Sequence, residues 1–252
     1  MRARRRDLAA EVARLRADNA RLENRVARLR TRLDGDPELS YLFVMTYGRS
    51  GSTLVSGLLN ALPGYLIRGE NEHALHHLFS YHRTLAGLKE RWPSKVSRVA
   101  THPFFGIGDV PVKRSVGDVR RLALSTVLRP EDATRVVGFK EIRWYHQDME
   151  EYVAWLREVF PGARFLVNTR NNDDVLSSGW WAKGDPDHNR AHLAETEERL
   201  LAVAADLGEA AYRVHYDDYV ADPTTLRGLY DWLGEPWDEA SVRATLAVRH
   251  SL

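Results

Sequence analysis

Tyr41-Leu-Phe-Val-Met-Thr-Tyr-Gly48-Arg-Ser-Gly51-Ser-Thr53, continuing into Leu54-Val-Ser-Gly-Leu-Leu-Asn-Ala-Leu62, is the stretch from which the fold follows. A run of aromatic and β-branched residues stops at Gly48. A short polar loop comes next, and then apolar residues at 54, 55, 58, 59 and 62, the spacing of one helix face. That order predicts a strand, a tight loop and a helix. Gly48 and Gly51 let the backbone turn sharply and bring its N–H groups close to a ligand. The helix that begins near Ser52 adds unpaired N–H donors and the positive end of its dipole. Arg49, Ser50, Ser52 and Thr53 supply further donors, so the loop is suited to an anion, above all a phosphate.

The loop is not a Walker A sequence, because Gly51 rather than Lys precedes Ser52, and the dinucleotide pattern G-x-G-x-x-G is absent as well. These absences argue against an ordinary ATPase, kinase or NAD enzyme. A plain Gly/Ser turn joining a core strand to a core helix is the bland alternative.

The chain has 252 residues, enough for one sizeable α/β domain plus an appendage. Its formal charge is +1, unevenly spread. Residues 1–34 carry eleven Arg and five acidic residues, a net +6, which leaves about −5 for the remainder. A remainder without basic excess does not suit nucleic acid. Cysteine is absent, which excludes disulfides, Cys-based zinc sites and a thiol nucleophile. No apolar run approaches the roughly 18 residues of a membrane span, and the basic start lacks the apolar core of a signal peptide. A cytoplasmic protein is expected.

The N-terminal arm has its own signal. Leu8, Val12, Leu15, Asn19, Leu22, Val26, Leu29 and Leu33 alternate spacings of four and three, a heptad seam in an Ala- and Arg-rich setting. A helix over residues 1–35 would extend about 45–50 Å at about 1.5 Å per residue. It would leave its Leu stripe in water unless paired, so a homodimer through residues 8–33 is expected. Asn19 at an a position favours a parallel pair, whereas most flanking charges favour an antiparallel one. Gly35-Asp36-Pro37 ends the helix.

From Glu38 onward, strands are predicted at 41–47, 64–69, 135–141, 164–170 and 211–216. Helices are predicted at about 74–79, 116–128, 148–160, 173–181, 188–207, 223–233 and 239–246. Residues 84–130 read as a largely irregular insertion. Alternating strands and helices imply a three-layer α/β fold, P-loop-like, with a central parallel sheet of about five strands over residues 38–252. Ligands of such sheets sit beyond the C-terminal ends of the strands. Arg170 closes one predicted strand, and Ser178 follows eight residues later on the predicted helix. A cation and a hydroxyl so placed could grip one phosphate from two sides, although an Arg at a strand end is commonly a surface ion pair.

Arg49-Ser50-Gly51-Ser52-Thr53 after a strand, followed by Phe165-Leu-Val-Asn-Thr-Arg170 and Asp174-Val-Leu-Ser-Ser178-Gly-Trp-Trp181, resembles the sulfotransferases that use 3′-phosphoadenosine 5′-phosphosulfate (PAPS). The resemblance implies that Arg49, Ser50, Gly51, Ser52 and Thr53 hold the 5′-phosphosulfate, and Arg170 and Ser178 the 3′-phosphate. The Gly69-Glu70-Asn71-Glu72 segment is similar to the Glu-based branch that acts on glycolipids and polysaccharides. This implies Glu72 as general base and Glu70 as a neighbouring acid that holds the acceptor. A helix-capping role for either is the plainer reading. Lys140 is the candidate for neutralising charge on the leaving oxygen, or else a salt bridge. The implied products are a sulfated carbohydrate or glycolipid hydroxyl and 3′,5′-ADP, and the family chemistry needs no metal. His73, His76 and His77, together with Glu72, raise a metal reading; His73 and His77, spaced i, i+4, could share an ion, but no third ligand is assignable. Trp180 and Trp181 read as core, and Arg249 or His250 as further 3′-phosphate contacts. A degenerate-loop phosphotransferase and an inert coiled-coil scaffold with a nucleotide-binding head stay open as alternatives.

Overall fold

The computed structural model describes residues 11–12, 14–27 and 39–248. The chain divides into two compact units, residues 1–37 and 38–252. In the first unit, residues 11–12 and 14–27 are helical, and Val12, Leu15, Leu22 and Val26 stand exposed along the seam. Leu8, Leu29 and Leu33, like Arg249 and His250, lie outside the described residues.

The second unit is built on five parallel strands: β1 (Ser40–Met45), β2 (Tyr65–Arg68), β3 (Val136–Glu141), β4 (Arg164–Thr169) and β5 (Ala211–His215). Their order is β2-β3-β1-β4-β5. β1 is central, and after Ser40 every residue of it is buried, which is why it reads as a continuous apolar run rather than an alternating one. The chain moves from β1 outward to one edge and back through β3, then crosses to β4 and β5 on the other side. The order therefore reverses between β1 and β4, and the loops leaving these two strands open onto the same crevice.

Nine helices matter below: α1 (Ser52–Asn60), α2 (Ala74–Arg91), α3 (Val112–Ala123), α4 (Met149–Val159), α5 (Asn172–Leu176), α6 (Pro186–Leu207), α7 (Tyr216–Ala221), α8 (Arg227–Leu233) and α9 (Glu239–Leu246). Leu42, Val44, Val136, Leu166 and Val214 form one face of the sheet. They pack against Leu54, Val55, Leu58 and Leu59 of α1 and against Leu229, Tyr230, Leu233 and Val242 of α8 and α9. Phe43 lies on the opposite face and meets Phe139, Phe160 and Phe165 ring to ring. Burying such side chains contributes about 1.5–3 kcal/mol each, so both layers are needed to hold the sheet.

The strands fall within a residue or two of their expected positions. Three helical segments differ. α2 continues to Arg91, so the insertion is shorter and more ordered than its sequence suggests. The helix expected at 173–181 ends at Leu176 because Gly179 adopts φ +61° and turns the chain outward. α7, a short helix, had no sequence expectation. Among the described residues, no helix is long and apolar enough to cross a membrane.

Candidate active site

β1 delivers the loop at the sheet's centre. Thr46, fully buried, anchors it: Oγ1 lies 2.6 Å from Ser50 Oγ and 2.7 Å from the Asn168 carbonyl. A carbonyl can only accept, so Thr46 donates to Asn168 and Ser50 donates to Thr46. Asn168 Nδ2 returns a bond to the Ser50 carbonyl at 2.8 Å, and Tyr219 donates to Asn168 Oδ1 at 3.2 Å. The Ser50 hydroxyl is thus used inside the loop, and its side chain is buried. Gly51 caps α1 in the left-handed region at φ 78°, and among the described residues no side chain caps the start of the helix. Arg49 is also left-handed, at φ 68°, and is exposed, as is Thr53, whereas Ser52 is buried.

Two aromatic rings explain the glycines. A Cβ on Gly51 would stand 2.0 Å from Tyr216 Cδ2, and one on Gly48 would stand 2.1 Å from Trp180 Cζ2. Gly51→Ala combines that overlap with an unfavourable φ, and Tyr216 is held beneath Arg170. It is expected to cost about 1–2 kcal/mol, or about 4 °C in thermal midpoint. Gly48→Ala should cost less, since Trp180 is 54 % exposed and can swing away. Calorimetry of the two variants checks this, and equal midpoints would contradict it. Trp180 and Trp181 are therefore not core residues. They follow the turn at Gly179, and Trp181 Nε1 donates to the Gly48 carbonyl at 3.1 Å.

Arg170, just past β4, reaches the same loop. Its Nη1 donates to the Arg49 carbonyl at 3.2 Å, and its guanidinium lies 4.7 Å from the Tyr216 ring centroid. Nη2 is 3.8 Å from Asp174 Oδ2, and Nε is buried with no partner among the described residues. The backbone is fixed separately: the Arg170 N–H donates to the Tyr47 hydroxyl at 2.9 Å, and that hydroxyl donates to Glu197 at 2.6 Å. Burial first, and then Glu197, push the Tyr47 phenol far above its usual range, so it stays protonated. Ser178 lies in the turn after α5, not on a helix, with Oγ 3.4 Å from Arg49 Nε. Arg49, Arg170 and Ser178 are thereby gathered at one crevice.

The carboxylates sit after β2. Lys140 is 7 % exposed near the end of β3, opposite Val44 of β1, and its ammonium is bonded to Glu70. A buried ammonium needs such a partner. Glu72 is 75 % exposed and paired with Arg143. Glu72 and His73 take φ values of 52° and 63°, which costs about 1–3 kcal/mol per residue unless the surroundings impose it. The surroundings include the buried Glu141 carboxylate, which accepts from the N–H groups of Asn71 (3.2 Å), His73 (3.4 Å) and Ile142 (2.9 Å).

The imidazole pairing differs from the sequence expectation. His77 is exposed, and His73 instead meets His76 and His146, whose ring nitrogens lie within 4.8 Å of one another. Burial, then the neighbouring imidazoles, depress His73 to about 4, and the same causes lower His146. Trp92 and Phe104 stack on each other at 5.1 Å, and Phe104 and Phe105 are both exposed.

The site is thus a glycine-bent loop leaving the central strand of a parallel sheet, with a second cation reaching it across the reversal of strand order. The chain belongs to the sulfotransferase family, whose family model matches residues 42–239, and it is a sulfotransferase. It is similar to the sulfotransferase domain of the Synechococcus PCC 7002 olefin synthase, with 19 % identity over 82 % of this chain and 78 % of that one, and a TM-score of 0.45. Sulfotransferase STF1 of Mycobacterium tuberculosis H37Rv is 18 % identical over 84 % of this chain and 71 % of that one, with a TM-score of 0.42. STF9 of Mycobacterium avium is 15 % identical over 88 % and 70 %, with a TM-score of 0.45. Comparison with curated proteins gave no match.

Proposed function

We propose that the enzyme takes its sulfuryl group from PAPS and gives it to a hydroxyl, most reasonably of a carbohydrate or glycolipid, with a glutamate as base. The observation that carries this reading is the bond from Arg170 to the Arg49 carbonyl, because it brings two cationic grips to one crevice. The orphaned Nε of Arg170 and the glycine-lined turn beneath Trp180 and Tyr216 fit a doubly phosphorylated nucleotide.

In this reading Arg49, Ser52, Thr53 and the N–H groups from Ser50 to Thr53 hold the 5′ side, with Gly51 allowing the close approach. Arg170 and Ser178 hold the 3′-phosphate. When bound, PAPS supplies the sulfuryl sulfur, whose bond to the 5′-phosphate oxygen breaks as the acceptor oxygen bonds to it, releasing 3′,5′-ADP. Glu72 removes the acceptor proton. Its ion pair with Arg143 is exposed and worth little, so the carboxylate can leave it for a hydroxyl. Glu70 keeps Lys140 in position until the leaving oxygen gains charge, and Lys140 then turns to that charge. Residues 1–35 act as a dimerisation helix, supported by the exposed Val12, Leu15, Leu22 and Val26, and residues 38–252 as the catalytic domain.

Calorimetric titration of the full chain with 3′,5′-ADP tests the donor assignment, and saturable one-to-one binding is expected. No binding, or stabilisation by ATP with magnesium in its place, would overturn the assignment in favour of a phosphotransferase. Radiolabelled sulfate transfer to a panel of glycans and glycolipids then tests the acceptor class.

A further inference from the structure

The sulfuryl-transfer reading leaves the imidazoles behind the candidate base unused. His73 caps α2, His76 lies on its first turn, and His146 sits in the loop between β3 and α4. His146 Nε2 is 3.0 Å from His73 Nδ1, and the rings of His76 and His146 stack at 4.3 Å with 15° between their planes. Asp148 Oδ1 lies 3.0 Å from His76 Nε2, which orients that ring and leaves Nδ1 as its remaining nitrogen. A carboxylate behind a histidine is the usual outer partner of a metal-bound imidazole. His73 keeps only 9 % of its surface, and the N–H of its left-handed backbone donates to the Glu141 carboxylate.

We propose that His73, His76 and His146 bind one divalent transition-metal ion of the zinc class, with a water as fourth ligand and Asp148 supporting His76. Three imidazoles from the start of α2 and the β3–α4 loop, with no thiolate and a single supporting carboxylate, suit Zn²⁺, Co²⁺, Ni²⁺ or Cu²⁺ and not Mg²⁺ or Ca²⁺. The stacked rings cannot both hold an ion in their planes, so binding turns one of them about its Cβ–Cγ bond, a soft rotation. The role is structural. His73 follows Glu72 directly and His146 is three residues beyond Arg143, so the ion staples the turn bearing Glu70 and Glu72 to the loop bearing Arg143, the partner of Glu72. The ion takes no part in the sulfuryl step, and the site stands whatever the donor is.

The test uses untagged full-length protein, stripped with a chelator and titrated with Co²⁺. One equivalent per chain, giving the intense visible bands of tetrahedral Co²⁺ and displaced by Zn²⁺, is expected. His146→Ala should weaken binding by more than about 100-fold, and Asp148→Asn by about 10- to 100-fold. His77→Ala, outside the cluster and exposed, should bind like the parent. Zn²⁺ should raise the melting temperature of the parent and of His77→Ala, but not of His146→Ala. Should His146→Ala fail to fold, the Asp148→Asn titration decides. A parent protein with no saturable Co²⁺ spectrum, or Asp148→Asn and His146→Ala binding as tightly as the parent, overturns the site.

Discussion

Arg170→Ala is expected to weaken 3′,5′-ADP binding by about 30- to 4000-fold while leaving the sheet intact. Truncating one member of a hydrogen-bonded charge pair costs about 2–5 kcal/mol, and each 1.4 kcal/mol is a factor of ten. The fold should tolerate the change because, among the described residues, the guanidinium's polar and ring partners are the Arg49 carbonyl, the Tyr216 ring and Asp174. The parallel ladder between β1 and β4 remains, as do the bonds from the Arg170 amide to Tyr47 and from Tyr47 to Glu197. Arg170→Lys keeps the charge but not the planar fork, so it should recover only part of the affinity. Titration calorimetry with a thermal melt of each variant reads both quantities. Unchanged affinity in Arg170→Ala would remove the second phosphate grip from the proposal.

Glu72→Gln should lower turnover by about 10²- to 10⁴-fold with 3′,5′-ADP affinity unchanged, the signature of a missing general base. Glu70→Gln should behave differently. It leaves the ammonium of Lys140, only 7 % exposed, without its counter-ion, so stability should fall along with activity. Turnover with labelled donor, set beside melting temperatures, separates the two glutamates. If Glu72→Gln retains parental turnover while Glu70→Gln loses it without losing stability, the base is Glu70 and the assignment given to Glu72 fails.

Much of this was legible before any coordinate. β1 is buried on both faces and has no alternation to confuse, and Gly48 and Gly51 mark the turn, so strand, loop and helix follow from residues 41–62 alone. Arg170 and Ser178 were legible as a pair because both lie close to one strand end. Other features depend on contacts between distant segments. The inward turn of the Ser50 hydroxyl depends on Asn168, far along the chain. The exposure of Trp180 depends on a left-handed Gly179 that stops α5 early. The partner of Lys140 is Glu70 rather than a near neighbour, because β2 and β3 lie side by side.

The alternation of apolar strands and helices, the glycine-bent loop and the order of its cations were determined by sequence, because local backbone freedom and periodic burial act over a few residues. The meeting of Arg170 with the Arg49 carbonyl, and of His146 with His73 and His76, was decided by tertiary structure. Those pairs owe their proximity to a parallel sheet whose strand order reverses beside β1 and whose β3 lies next to β2, and no local spacing encodes it.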